Sequence, residues 1–292
     1  MKKNLLVILF CIASFCIPRC IQGKIVIKES TPQVLVSVAP YAYFVEKIAG
    51  NTVDIQILIP QSANAHLYEP VPKEIEKMLS ANVWMRLGDP IEKKLVLTLK
   101  EKNPSLAIVE LWKDIPLLGH SHCTHAEHED EKDFHIWLSP KLAKQQAEKI
   151  AHSLISLYPA HQKLYQKNLH LFLQELTDLD QKISALLKPL KGKVLLVSHP
   201  AFGYFCNDYG LVQIPVEFEG KEPRPKQISQ ILEQAANLEI KTVLTQAQYS
   251  NKGAELIAQK LHLPIFLVDP YSMDYSNNLL HLAEVLTRTV NK

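Results

Sequence analysis

Short apolar runs alternate with helical patterns twice along this chain, and between the two series lies a long stretch that contains no strand. In the first half the strand-like runs are Val34–Val38, Val53–Ile59, Val83–Leu87 and Ala107–Val109, with helical patterns at Tyr41–Ala49, Pro72–Leu79 and Ile91–Lys100. In the second half strands are expected at Val194–Ser198, Val212–Val216, Thr242–Gln246 and Ile265–Val268. Helices are expected around Pro200–Tyr209, Pro225–Asn237, Lys252–Lys260 and Asn277–Thr289. Parallel strands need a crossover long enough to hold a helix, so this alternation predicts an α/β protein with one parallel sheet, flanked by helices, in each half. From Pro140 to about Leu190 only Pro159 interrupts an amphipathic signal. Leu164, Leu169, Phe172, Leu173, Leu176, Leu179 and Ile183 then recur at helical spacing. A helix over Ala160–Leu187 would extend roughly 42 Å at 1.5 Å per residue, and without a glycine it would act as one stiff rod that restricts opening and closing of the two lobes.

The front of the chain speaks of export. Lys2 and Lys3 precede a thirteen-residue apolar run, Leu5–Ile17, which Pro18 ends. That run is too short to span a bilayer and has the length and basic flank of a secretory signal. Residues 1–23 are therefore expected to be removed, and a lipid on Cys20 is not favoured because Ile17-Pro18-Arg19 lacks the small residues such sites use. Losing Lys2, Lys3 and Arg19 takes the formal charge from +2 to −1. A nearly neutral chain offers no basic surface for nucleic acid or anionic lipid. No second segment is long or apolar enough to span a membrane, so the mature product is expected to be soluble, and a monomer. Cys123 and Cys206 remain in it, and their pairing is not fixed by sequence.

Five of the twelve histidines fall within seventeen residues, Gly119 to His135, among Glu127, Glu129, Asp130, Glu131 and Asp133. The stretch is too polar to order itself, and reads as a mobile loop whose His120, His122, His125 and His128 raise the local concentration of metal ligands. The bland alternative is a solvated acidic loop. Ligands of open parallel sheets bind beyond the carboxyl ends of strands. The polar residues at such places include His66 after Val53–Pro60, His199 after Val194–Ser198 and Asp269 after Ile265–Val268, while His135 lies just before the helix that Pro140 begins. Each alone is weak, since a lone histidine is more often structural and Asp-Pro after a strand is often only a turn.

Together they carry a resemblance. Ala65-His66-Leu-Tyr-Glu-Pro-Val-Pro72, Asp133-Phe-His135-Ile-Trp-Leu-Ser-Pro140, Ser198-His199-Pro-Ala-Phe-Gly-Tyr-Phe205 and Asp269-Pro270 resemble the motifs of the metal-binding solute receptors of bacterial ABC importers, within their ZnuA-like zinc-uptake branch. The acidic His-rich loop and the long mid-chain helix match as well. The resemblance implies two α/β lobes joined by a rigid helix, with one metal in the cleft between them. The expected division is a signal peptide over 1–23, a first lobe over 24–157 that includes loop 119–135, a linking helix over 158–190 and a second lobe over 191–292. The resemblance further implies a periplasmic protein whose partners are an ABC permease and its ATPase. Carried over by position, His66 and His135 from the first lobe and His199 and Asp269 from the second would hold the metal, with water as the alternative to Asp269. Manganese- and iron-binding relatives tend to have a carboxylate where His199 stands. Three imidazoles with at most one carboxylate suit Zn2+ better than the harder Mn2+, and zinc is the expected ligand. Glu69 and Glu217 are reserve ligands, Glu69 more simply read as a helix N-terminal charge.

Three competing readings remain at this level: a manganese or iron receptor of the same fold, a zinc-dependent enzyme, and a metal-buffering adhesin. Three histidines and an open position also describe a catalytic zinc. The chain lacks His-Glu-x-x-His, Gly-x-Ser-x-Gly and a phosphate-cradling glycine loop, so no enzymatic activity is expected.

Overall fold

The computed structural model of the chain describes residues 31–119, 132–217, 221–236, 238 and 240–290. The residues from Thr31 onward form one compact unit. The expected signal peptide, Cys20, Cys123 and the loop histidines His120, His122, His125 and His128 lie outside the described residues.

The first lobe runs β1 (Gln33–Val36), α1 (Ala39–Ala49), β2 (Asp54–Ile57), α2 (Pro72–Met78), β3 (Val83–Arg86), α3 (Glu92–Lys102) and β4 (Ala107–Glu110). Its strands are all parallel, in the order β2-β1-β3-β4. The second lobe runs β5 (Val194–Val197), α6 (Gly203–Tyr209), β6 (Val212–Pro215), α7 (Pro225–Ala236), β7 (Val243–Gln246), α8 (Lys252–Leu261), β8 (Ile265–Val268) and α9 (Tyr275–Val290). It has the same parallel arrangement, β6-β5-β7-β8. In each sheet the chain leaves its first strand to one side and later crosses to the other. The loops on either side of that reversal diverge and leave a crevice at the carboxyl ends of the strands.

Between the lobes come α4 (Pro140–Leu157) and α5 (Gln162–Leu187). Pro140 occupies the first turn of α4, where its missing N–H costs nothing, and Ser139 caps the helix by accepting from Leu142 N at 3.1 Å. Ala143, Ala147, Ile150, Ala151 and Leu154 bury one face at helical spacing. Tyr158, at φ −132°, ends the helix before Pro159. The 26 residues of α5 extend about 39 Å. Tyr165, Phe172, Leu176, Leu179, Ile183 and Leu187 are its buried stripe, while Leu164 at the start of the apolar pattern is exposed.

The lobes do not have separate cores. One continuous set of buried side chains runs from β1 and β3 through α1, α4, α5 and α9 to Leu195 and Val197 of β5. The C-terminal helix α9 returns to α1 and α5, where Phe44 packs on Phe172 at 5.3 Å and on Tyr275 at 4.9 Å between ring centres. Glu175 of α5 ties the three helices together. It accepts from Tyr43 at 2.5 Å and from Ser276 at 2.7 Å, and pairs with Lys47 at 2.6 Å. A second apolar cluster, with Leu196, Val216, Ile231 and Ile257, fills the other side of the second sheet. Among the described residues no helix is long and apolar enough to cross a membrane.

Candidate metal centre

His66, His135 and His199 come together at the mouth of the crevice, and each offers one ligand atom to a group spanning no more than 4.8 Å. They are the only such group of His, Cys, Asp or Glu among the described residues. His199 is central: its Nε2 lies 3.3 Å from Nε2 of His66 and 3.4 Å from Nε2 of His135. His135 and His199 are buried and His66 is the member open to solvent.

Each histidine reaches the group by a different local device. His66 lies on the loop that leaves β2, which folds on itself through Ala63 N to Pro60 O at 2.9 Å and His66 N to Asn64 Oδ1 at 3.0 Å. His135 sits at the start of a single 3-10 turn, Ile136–Leu138, that leads into α4. Asp133 accepts from both the main-chain N and Nδ1 of His135 at 2.8 Å. His199 follows β5, where the fully buried Gln246 clamps its backbone. Gln246 accepts from His199 N at 3.0 Å, accepts from the Ser198 hydroxyl, and donates to His199 O at 2.8 Å. The ring of Tyr249 stacks flat on the imidazole, 3.8 Å away at 6°.

The three rings share one electrostatic arrangement. Nδ1 of His66 faces Asp89 at 3.1 Å, that of His135 faces Asp133 at 2.8 Å, and that of His199 faces Glu217 at 2.5 Å. A carboxylate that accepts from Nδ1–H fixes the tautomer, turns the Nε2 lone pair inward and raises its basicity. The three Nε2 atoms then face one another, an arrangement that a cation stabilises. Burial disfavours the His66 cation, but the hydrogen bond and charge of Asp89, with Glu217 and Asp133 behind, hold its pKa above the ordinary imidazole value. Burial likewise works against the Asp89 anion, and His66 outweighs it and holds the Asp89 carboxyl low. Glu217 is pushed up to about 7 by burial, with the charge of His66 opposing and that of Glu222 adding.

The Asp89 loop is itself built from buried polar groups. Leu87 N and Gly88 N donate to Glu92 at 3.1 and 2.8 Å, the Ser37 hydroxyl donates to it, and the Arg86 guanidinium faces it at 3.3 Å. Gly88 has φ +104°, and a Cβ there would stand 2.6 Å from the Trp112 ring and 2.7 Å from the ring of Phe134, the neighbour of His135.

The structure brings together three of the four residues read from sequence and leaves Asp269 outside the group. Its carboxylate is held instead by Gln61 Nε2 at 2.5 Å, Gln248 Nε2 at 2.8 Å and Tyr271 N at 2.9 Å. Glu217 supports His199 at Nδ1, and Glu69 is exposed on its loop. Asp89 and Tyr249 were not singled out from sequence. Asp89 had a signal there, because it follows a strand just as His66 and His199 do.

The family model described as "ZnuA: Zinc-uptake complex component A periplasmic" matches residues 34–289. A chlamydial protein provisionally described as metal-binding, from Chlamydia muridarum, is 34% identical over 252 residues, covering 86% of this chain and 89% of that one. The high-affinity zinc uptake system protein ZnuA of Yersinia pestis is 28% identical over 262 residues, 81% of this chain and 82% of that one. A crystal structure of a ZnuA deletion mutant with zinc bound is 33% identical, covers 89% of this chain and 98% of its own, and superposes with a TM-score of 0.82. The matching family and relatives are metal-binding solute receptors that work outside the cytoplasm. The chain belongs to the ZnuA family of periplasmic zinc-uptake components.

Proposed function

We propose that this receptor captures Zn2+ outside the cytoplasmic membrane, holds it on Nε2 of His66, His135 and His199, and delivers it to the permease and ATPase of an ABC importer. The observation that carries the reading is the convergence of three Nε2 atoms, each with its opposite nitrogen tied to a carboxylate. Two nitrogens bound about 2.05 Å from one ion at a tetrahedral angle stand about 3.35 Å apart. The 3.3 and 3.4 Å separations around His199 agree with that spacing. An all-imidazole set favours zinc over the harder Mn2+, and the zinc-binding relatives point the same way. The fourth position lies on the solvent side with His66, where water can fill it. In this reading residues 1–23 are the export signal, 24–157 and 191–292 the two lobes and 158–190 the link between them.

The test is titration of the metal-free mature protein with zinc in the presence of excess manganese, at several pH values. One tight zinc site that resists manganese is expected. Its affinity should fall as pH drops, because protons compete for Nε2. The fall should begin at a higher pH than an ordinary imidazole would give, since Asp89 holds the His66 proton above the usual range and burial raises the Glu217 carboxyl beside His199. Equal or tighter manganese binding would move the protein to another metal, and a flat pH profile would remove imidazole from the site. Loss of zinc uptake in cells lacking the receptor checks delivery.

His120, His122, His125 and His128 serve in the same proposal as a capture segment that passes zinc to the cleft through His135. Deleting residues 120–131 should leave the tight site intact, abolish weaker zinc binding and slow uptake when zinc is scarce. Unchanged zinc content and unchanged uptake would deny the segment that role.

A further inference from the structure

The three histidines are not held equally. The segment bearing His135 is bound to the second lobe by buried hydrogen bonds: Tyr204 donates to Asp133 O at 2.7 Å, Trp137 Nε1 donates to Pro270 O at 2.8 Å, and Tyr275 donates to Trp137 O at 2.6 Å. His135 is thereby tied to the lobe that carries His199. His66 stands on an exposed loop of the first lobe, and that loop is attached across the cleft through Gln61, five positions earlier.

Gln61 Nε2 donates to Asp269 Oδ2 at 2.5 Å, and Gln248 Nε2 donates both to Gln61 O at 2.9 Å and to Asp269 Oδ1 at 2.8 Å. Both acceptors face the same nitrogen of Gln248, which fixes its amide orientation, and its Oε1 is buried with no partner. That unsatisfied oxygen is a cost borne to keep the donor aimed at the loop. Asp269 is fixed in turn by Tyr271 N and, through its main-chain O, by Asn278 at 2.7 Å. Tyr249, next in the chain after Gln248, is the ring stacked on His199, so one turn of chain serves both the metal group and the loop.

We propose that Asp269, Gln61 and Gln248 form a clasp across the cleft that holds His66 against His135 and His199 and so sets how fast metal leaves the receptor. Asp269 is a positioning residue that acts through the His66 loop and does not ligate the metal. The inference rests on the zinc-receptor reading above. Release then proceeds by opening the clasp, swinging His66 away and leaving the metal on two imidazoles. The closed lobes need not part for this to happen.

Asp269→Asn, Gln61→Ala and the double variant are compared with wild type by dissociation of bound Zn2+ into excess chelator, by the visible absorption of the Co2+-loaded protein, and by thermal unfolding of the metal-free form. Each single variant should lose zinc about tenfold faster, the scale of one charge-assisted hydrogen bond, and the double variant no faster than the quicker single. The cobalt spectrum and the metal-free melting temperature should not move. A cobalt spectrum changed by Asp269→Asn would make Asp269 a ligand, and unaltered dissociation or multiplying effects would show that no such clasp operates. Either result overturns the proposal while leaving zinc binding by wild type intact. A wild type that takes up no zinc overturns the receptor reading and the clasp with it.

Discussion

His199→Ala should abolish tight zinc binding, with a loss well beyond about a hundredfold, the upper end for removing a group that merely supports a ligand. His199 Nε2 lies 3.3 Å from Nε2 of His66 and 3.4 Å from Nε2 of His135, so its loss takes away the ligand atom the other two share as a neighbour. The variant should still fold. Gln246 bonds the main-chain N and O of residue 199 and does not need the ring, and Glu217 regains access to water. Competition with a chromophoric chelator reads the affinity, and metal-free thermal unfolding reads the fold. Tight binding retained in a folded variant would remove His199 from the site.

The second large effect should come from a single methyl group. Gly88→Ala places a Cβ within 2.7 Å of Trp112 and Phe134 at a φ of +104°, where L side chains are strained. Both rings are anchored, Trp112 by the Arg86 guanidinium 5.1 Å from its centre and Phe134 by its place between Asp133 and His135. The backbone must therefore move, and it carries the N–H that caps buried Glu92 and leads directly into Asp89. About 2–4 kcal/mol of stability should be lost, seen as a melting point lower by roughly 5–10 °C. Zinc affinity should fall too, because Asp89 can no longer hold His66 in its metal-binding tautomer. A variant that melts like wild type and binds zinc as tightly would show that the Gly88 turn supports neither.

The elements of regular structure were legible because their period and length are local properties. Among the described residues the strands and helices fall where the sequence pattern placed them, with ends shifted by a few residues. The strand read as Val34–Val38 stops at Val36 because its partners Ile57 and Met85 are the last residues in register. The helix read from Pro200 starts at Gly203, since Ala201 N turns back to His199 O at 2.8 Å to shape the metal loop. The shared core was not legible. Nothing in the spacing of α9 says that it packs on α1 and α5 and not only on its own sheet.

At the site, the histidines were readable from strand ends and from family motifs, and Asp133 stood in one of those motifs, but the pairing of Asp89 with His66 and of Glu217 with His199 was not. Asp89 lies far along the chain from His66, and Glu217 from His199, and only the folded crevice pairs them. Asp269 was the converse case. Its position after β8 marked it as functional, while the two glutamines that occupy its carboxylate carry no sequence signature.

The three histidines come from two lobes that are joined through a long segment of intervening chain, so an ion held by them would act as a staple between distant parts of the backbone. A staple that forms only in the folded state protects that state. At a free metal concentration a hundred times Kd the loaded receptor gains about 2.7 kcal/mol against unfolding. A filled receptor should therefore outlast an empty one wherever proteases sample transiently unfolded chains.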